Sequence, residues 1–260
     1  MEAPAHELVG EGPTVVLLHS FPLDRGMWTR QLGALSAAGF RVVAPDLPGF
    51  GATPTPTGDA PSLDAYVASV VALLDAIDAR RPLVLGLSLG GYVALRLAAL
   101  HPDRVGALVL ADTRAAADNP EVRASRVVNL SLVRSKGAGA LIRKMLPMVL
   151  SGSAPESVQS AVTALGEKQS AEGVSYALLA MRDRHDGTDA LPSIKAPTLC
   201  LVGDGDKVTP PDEMRAMADA IPGARYVELA GAGHLSNFDA PEGFDREVVR
   251  FANDHRADFT

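Results

Sequence analysis

One serine stands at the centre of the pentapeptide Gly86-Leu87-Ser88-Leu89-Gly90, between an apolar run and a helical pattern. The run at 82–87 is typical of a buried strand in a parallel sheet, and residues 92–100 predict a helix that stops before a proline. A chain that turns sharply from strand to helix needs glycines where side chains would collide, and it strains the corner residue. The pattern therefore predicts that Ser88 presents its hydroxyl at the carboxyl edge of a sheet. A structural turn is the plainer interpretation, whereas a dinucleotide-binding loop would require glycine at position 88.

A base and an acid that would activate this serine follow later in the chain. A serine hydroxyl is a poor nucleophile at neutral pH and needs a neighbouring base, for which a neutral imidazole is suited. His234 follows the last predicted strand in a glycine-rich loop, and Asp206 follows the strand before it. A carboxylate there would fix the tautomer of the imidazole and stabilise its charged form. Asp112, at the end of an earlier strand, is a rival for the acid, and Asp204 is a third choice.

Two backbone N–H groups are candidates for an oxyanion hole, the pair of donors that holds negative charge as it develops on a substrate oxygen. The stretch His19-Ser20-Phe21-Pro22 follows a predicted strand at 14–18, which would aim the Phe21 N–H toward the serine. The Leu89 N–H lies at the start of the helix behind the serine. We predict that these two groups act together.

Strands alternate with helices along most of the chain, which predicts an α/β protein with a mostly parallel, doubly wound sheet. Reactive groups in such a sheet gather at the carboxyl ends of the strands, where the candidate residues fall. The predicted strands are 14–18, 41–46, 82–87, 105–110, 197–202 and 224–229, and the predicted helices among them are 27–38, 63–79, 92–100, 212–220 and one that begins at Pro241.

Between residues 113 and 190 this alternation stops, and four amphipathic helical segments follow one another without a strand. Such helices cannot bury their apolar faces alone, so they must lie on the carboxyl edge of the sheet. We therefore predict a core formed by residues 1–112 and 191–260, with a helical cap inserted at 113–190.

Four apolar side chains are candidates for a substrate pocket beneath that cap. Methionine is flexible enough to line an irregular cavity, and the predicted cap carries Met145, Met148 and Met181. Trp28, in the helix after the first strand, is also long enough to reach it. Packing of these residues in the core is an equally open interpretation.

The composition is that of an ordinary globular chain of 260 residues, with 47% hydrophobic residues and a formal charge of −7. The negative charge argues against nucleic acid and anionic membrane surfaces as partners. A single cysteine, Cys200, excludes an intramolecular disulfide and a cysteine-based metal cluster. The first residues resemble no signal peptide, and no apolar run approaches the roughly 18 residues that span a bilayer. We expect a cytoplasmic monomer or homodimer that needs neither metal nor cofactor.

Taken together, these motifs resemble the α/β-hydrolase superfamily over almost the full length of the chain. The closest similarity is to small capped esterases, enol-lactonases and related carboxylic-ester hydrolases, in which nucleophile, acid and base follow in the order seen here. The resemblance implies a serine hydrolase that cleaves a small carboxylic ester or lactone through an acyl-enzyme. Two features depart from the family pattern: Ser20 stands where glycine is usual, and the first hairpin is reduced to one strand near Val9. The matching motifs are His19-Ser20-Phe21-Pro22, Asp46-Leu47-Pro48-Gly49-Phe50-Gly51, the Ser88 pentapeptide with Gly91, Gly203 to Asp206, and Gly233-His234.

Two alternatives keep the fold and change the function. The same site could hydrolyse a carbon–carbon bond of a diketone or transfer an acyl group to peroxide, because the pocket decides which molecules enter. A non-hydrolytic ligand-binding or biosynthetic protein could use the fold as a scaffold. A complete set of serine, histidine and aspartate argues against that last possibility.

Overall fold

The computed structural model describes residues 2–58 and 60–260, and at its centre lies a sheet of seven described strands. The order across the sheet is β1-β3-β2-β4-β5-β6-β7. β1 pairs antiparallel with β3, and the other neighbouring pairs are parallel. The single strand predicted near the N-terminus is thus confirmed. In chain order the strands are β1 (His6–Val9), β2 (Thr14–Leu18), β3 (Arg41–Pro45), β4 (Leu83–Leu87), β5 (Ala107–Ala111), β6 (Thr198–Gly203) and β7 (Arg225–Leu229).

Helices cover both faces of this sheet, as the doubly wound prediction required. Successive strand residues point to opposite faces, so Val16 joins one apolar cluster while Leu17 joins the other. Helices α2 (Leu63–Ala76), α3 (Leu89–Leu100) and α8 (Pro211–Ala220) contribute to the first cluster. Helices α1 (Thr29–Ala37) and α10 (Pro241–Asp254) contribute to the second cluster, and a short helix α9 (Ser236–Asp239) precedes α10.

The strand register brings the carboxyl ends of the six parallel strands, β2 to β7, to one edge. Leu18 of β2 is paired with Gly86 of β4, and Leu87 with Ala111 of β5. Further along the sheet, Gly203 of β6 is paired with Leu229 of β7. Every loop that carries a predicted reactive residue therefore starts from the same edge.

Four helices lie between β5 and β6, and we refer to residues 113–190 as the helical segment. The helices are α4 (Pro120–Lys136), α5 (Ala138–Val149), α6 (Glu156–Glu167) and α7 (Ala171–Arg182). Their apolar residues enter both clusters of the core. The segment reaches the carboxyl edge of the sheet, since the Gly51 N–H, in the loop after β3, donates to Gln169 Oε1 at 3.0 Å.

Element boundaries differ from prediction where local side-chain bonds intervene. The helix predicted over 27–38 begins instead with a 3-10 turn, Arg25–Trp28, because the Asp24 carboxylate accepts from the Gly26 N–H. The helix predicted over 63–79 ends at Ala76, just before Asp78 adopts a positive φ. In the described residues no helix is long and apolar enough to cross a membrane.

Candidate active site

Ser88 occupies the corner between β4 and α3 with φ 54° and ψ −111°, a conformation that is rare outside glycine. The two flanking glycines are required because neither position has room for a side chain. A Cβ on Gly86 would lie 2.1 Å from the Gly90 carbonyl oxygen, and one on Gly90 would lie 2.0 Å from that of Leu18. The corner is held by the Ser88 N–H, which donates to Ala111 O at 3.0 Å. The Thr113 hydroxyl donates to the Ser88 carbonyl oxygen at 2.9 Å.

The structure brings Ser88, His234 and Asp206 into one hydrogen-bonded chain. Ser88 Oγ lies 2.9 Å from His234 Nε2, and His234 Nδ1 lies 2.8 Å from Asp206 Oδ2. All three residues are buried, with exposed fractions of 8%, 3% and 4%. Polar groups interact more strongly in such an environment than in water. The imidazole is positioned to accept the serine proton on one nitrogen while its other nitrogen donates to the carboxylate.

The Asp206 carboxylate is fixed by four donors from two loops. Its Oδ1 accepts from the N–H groups of Val208 and Thr209 at 2.7 and 3.0 Å, and its Oδ2 accepts from the Thr209 hydroxyl at 2.5 Å as well as from His234. Burial alone would raise the pKa of Asp206. The charge of His234 and the donated bonds outweigh that effect and hold the pKa below its ordinary value. Sequence reasoning missed Thr209; the available signal was Asp206 itself, since an aspartate side chain often accepts from the backbone N–H two residues on, as it does here from Val208.

Asp112, the rival for the acid, supports the site without contacting the imidazole through any described bond. It is fully buried with φ 45°, and it accepts from the Gly203 N–H at 2.9 Å and from the Ser236 hydroxyl. Burial, reinforced by the charge of Asp206, raises the pKa of Asp112 well above its ordinary value. Asp204 is exposed and accepts from the Gly231 N–H at 2.9 Å. Of the three aspartates weighed from sequence, Asp206 is the one bonded to His234.

The loop after β2 is held from both sides. His19 is fully buried, its Nδ1 donates to Ser20 O at 3.0 Å, and its Nε2 accepts from the Leu47 N–H at 2.9 Å. These bonds require the neutral ring, and burial lowers the pKa of His19 accordingly. Ser20, the departure from the family pattern, is accommodated because its N–H meets Met27 Sδ at 3.1 Å and its hydroxyl donates to Phe21 O.

Of the two predicted oxyanion donors, Leu89 is the first residue of α3, where the geometry of an α-helix provides no intrahelical acceptor for its N–H. Phe21 is 7% exposed and sets its ring edge-on to Phe50, with the centroids 6.2 Å apart. Their assignment to an oxyanion hole remains a prediction.

The four predicted pocket residues fall in different environments. Trp28 has no exposed surface and packs against Phe244, so a substrate could not touch it without rearrangement of the core. Met181 is buried, with its sulfur facing Arg126 at 3.4 Å, whereas Met148 is 47% exposed. Met145 is half-buried and packs against both clusters of the core. Their contact with substrate stays a prediction.

The described residues contain no group of three histidine, cysteine, aspartate or glutamate side chains that could hold a metal ion. Cys200 is free and buried, which raises its pKa to about 12.

Comparison with known proteins agrees with this fold. A family model described as the alpha/beta hydrolase fold matches residues 13–241. The chain therefore belongs to the α/β-hydrolase family.

Several relatives extend over nearly the whole chain. A thermophilic esterase from Thermogutta terrifontis is 36% identical, with a TM-score of 0.92 over 96% of this chain and 93% of its own. The enol-lactonase from Burkholderia xenovorans LB400 is 32% identical, with a TM-score of 0.88 over 96% of each chain. A Mycobacterium tuberculosis protein that bears the name non-heme bromoperoxidase is 29% identical over 95% of this chain and 96% of its own.

Proposed function

We propose that this α/β hydrolase cleaves a small carboxylic ester or lactone through an acyl-enzyme formed on Ser88. The observation that carries the proposal is the pair of bonds that link Ser88 Oγ to His234 Nε2 and His234 Nδ1 to Asp206 Oδ2, at 2.9 and 2.8 Å. The esterase and the enol-lactonase among the relatives support an ester or lactone as substrate.

The reaction begins when Ser88 Oγ attacks the carbonyl carbon and its proton moves to His234 Nε2. Asp206 keeps Nδ1 protonated and stabilises the positive imidazolium. The carbonyl oxygen becomes an oxyanion that accepts from the N–H groups of Phe21 and Leu89. Two fixed donors suit this step, because the loss of one oxyanion-hole donor typically costs about 2.7–4 kcal/mol.

The tetrahedral intermediate collapses when the C–O bond to the alcohol breaks and His234 returns its proton to the leaving oxygen. Water then attacks the acyl-enzyme, gives one proton to His234 Nε2, and releases the acid as Ser88 Oγ regains that proton. A lactone follows the same steps, with alcohol and acid joined in one product. Every group in these steps belongs to the chain itself, so the proposal requires no cofactor.

In this proposal the helical segment at 113–190 is the cap that covers the reacting groups. It contacts loops that follow strand ends, as the bond between Gln169 and the Gly51 N–H illustrates. Met145, which touches both clusters of the core, would border the acyl group. The substrate would be a small apolar ester that fits between cap and sheet.

The direct test is turnover of p-nitrophenyl acetate and of a simple γ-lactone by wild type and by Ser88→Ala. We expect the variant to lose kcat by up to about 10⁶-fold, the loss typical when a serine nucleophile is removed. Ser135→Ala is a matched control, since that exposed serine bonds only within α4. Turnover by folded Ser88→Ala at the wild-type rate would refute the proposal.

Perhydrolysis is a second candidate, favoured by the relative that bears the name bromoperoxidase. Hydrogen peroxide would replace water as the attacking molecule and release a peracid from the same acyl-enzyme. Wild type supplied with acetate, peroxide and bromide would then brominate a dye, and Ser88→Ala would not. The ratio of this rate to ester hydrolysis decides which reaction the pocket favours.

A further inference from the structure

The loop that carries His234 is bonded to the helical segment on both sides of the histidine. The N–H of Leu235, the next residue, donates to Val149 O at 2.8 Å, at the end of α5. The N–H of Gly233, the preceding residue, donates to Asp239 Oδ2 at 2.8 Å. The same oxygen accepts from the Ser151 N–H at 2.8 Å. One carboxylate oxygen thus joins the histidine loop to the chain that leaves α5.

This junction is closely packed. A Cβ placed on Gly233 would lie 2.9 Å from both the Leu150 carbonyl carbon and the Ser151 nitrogen, so the two backbones touch. Val149, Leu150 and Leu235 are 2–3% exposed and belong to one apolar cluster. A displacement of residues 149–151 would therefore move the backbone on either side of His234.

The short helix α9 explains how Asp239 reaches back to this loop. The N–H groups of Phe238 and Asp239 both donate to Leu235 O, at 2.9 and 3.1 Å, which closes a turn after the histidine. The turn returns the Asp239 side chain to Gly233. Its second oxygen, Oδ1, is buried and has no hydrogen-bond partner within the described part of the chain.

A second junction fixes the far side of the helical segment to the core. Gln169 accepts from the Gly51 N–H at 3.0 Å and donates through Nε2 to Asp24 Oδ2 at 2.9 Å. The two loops that it joins follow β3 and β2. The helical segment is consequently held at both ends of the carboxyl edge.

We propose that Asp239 is a positioning residue for His234, and that the helical segment supports the base instead of lifting away as a free lid. The proposal rests on the proposed function, in which His234 is the base. Displacement of reacting groups by about 1 Å can cost roughly a hundredfold in rate. The segment cannot move as a unit without breaking the bonds that residues 149–151 make beside His234.

An asparagine at position 239 distinguishes the effect of the hydrogen bonds that Asp239 accepts from the effect of its negative charge. Its amide oxygen accepts the same two N–H groups, and its amide nitrogen takes the place of the oxygen that has no partner. Asp239→Asn therefore keeps the junction, while Asp239→Ala removes it. Asp245→Ala is the matched control, because that carboxylate accepts from Arg30 and Gln31 of α1, at 2.7 Å each, and accepts no described bond from the histidine loop itself.

The experiment measures kcat and KM for p-nitrophenyl acetate together with the thermal midpoint of each variant. We expect Asp239→Ala to lower kcat by about a hundredfold at little-changed KM, Asp239→Asn to stay within about threefold of wild type, and Asp245→Ala to lose stability alone. The low-field proton signal of His234 Nδ1–H reports the same geometry without turnover, and it should broaden in Asp239→Ala only.

Three results would overturn the positioning role: wild-type kcat in folded Asp239→Ala, equal kcat losses in Asp239→Ala and Asp245→Ala, or a hundredfold loss in Asp239→Asn. The Asn variant keeps the proposal testable if the alanine variant does not fold. Failure of the proposed function has a different signature, because Ser88→Ala would then retain turnover whatever happens at position 239.

Discussion

The corner at Ser88 and the loop at His234 meet across one hydrogen bond, but they are built in different ways. Residues 86–90 set the corner through steric contact: two glycines make room, and the chain passes from strand to helix in a single step. The histidine loop is held by hydrogen bonds to its neighbours. Two of these come from distant parts of the chain, at Val149 and Asp112, and one comes from Asp239 in the turn that follows the histidine.

This difference predicts how each part responds to change. A single added side-chain atom at Gly86 or Gly90 should have a large effect on activity and stability, because no small adjustment accommodates it in a packed interior. In a loop held by several hydrogen bonds, a substitution that removes one bond should have a smaller effect. Each bond contributes about 0.5–1.5 kcal/mol to stability, and up to about 3 kcal/mol when one partner is charged. Variants of the corner should therefore have the larger effects.

The largest effect is expected from Gly90→Ala. Its Cβ would lie 2.0 Å from the Leu18 carbonyl oxygen, so β2 and α3 must separate, and the Leu89 N–H moves with them. We expect kcat to fall by at least about a hundredfold and the thermal midpoint to drop. In the control Gly33→Ala the new methyl group meets nothing within 4 Å in α1, which should leave kcat unchanged. A Gly90→Ala enzyme with wild-type kcat would show that the corner is not steric.

A smaller effect is expected from Thr209→Val, which removes the hydroxyl bond to Asp206 and keeps the backbone bond. We expect kcat to fall by about tenfold, the equivalent of one bond to a charged group. The pKa of Asp206 is held low in the folded protein, so its ionisation stabilises the fold above the unfolded pKa and that stability is lost as the pH falls through the folded value. The variant should therefore lose stability at a higher pH than wild type in acid titrations.

The control for this variant is Thr163→Val, whose exposed hydroxyl bonds only to Gln159 O within α6. It should match wild type in both kcat and acid stability. Equal acid unfolding of Thr209→Val and wild type would mean that the Thr209 hydroxyl does not stabilise the Asp206 charge.

The smallest effect is expected from Asp112→Asn, in which the amide oxygen still accepts from the Gly203 N–H while the amide NH2 donates to the Ser236 hydroxyl, which now accepts. Because burial raises the pKa of Asp112, its contribution to stability is greatest below the unfolded pKa and is lost as the pH rises through the folded value. The neutral amide avoids that loss. We expect the thermal midpoint to rise by about 2–4 °C at pH 8, near 1 kcal/mol, and by less at pH 5. A lower thermal midpoint at pH 8 would contradict the conclusion that burial of the charged Asp112 side chain destabilises the fold.

The same comparison explains which parts could be predicted from sequence. The other strands and the surroundings of Ser88 depend on local patterns of apolar residues, glycine and proline, whereas the single first strand is implied by the family resemblance, and the structure confirms them. The helix that follows Ser88 begins at Leu89, earlier than predicted, because the corner itself supplies its first turn.

Long-range bonds could not be predicted in the same way. No pattern in the sequence indicates that Asp239 meets Ser151 or that Asp112 meets Ser236, because these pairs depend on how distant loops pack. Trp28 illustrates the same limit: its sequence position leaves both a pocket and the core open, and its burial against Phe244 depends on how distant helices pack. An apolar side chain on a helix face can pack in the core or line a pocket, and the sequence pattern is the same in both cases.

The measurement that tests the central claim most directly is the mass of the intact protein after incubation with a fluorophosphonate. Wild type should gain one phosphonyl group, because the reagent captures a serine activated by a neighbouring imidazole. Folded Ser88→Ala should gain none, and loss of the imidazole in His234→Ala should slow labelling of Ser88. An adduct on Ser88→Ala, or an unmodified folded wild type, would contradict the assignment of Ser88 as the nucleophile.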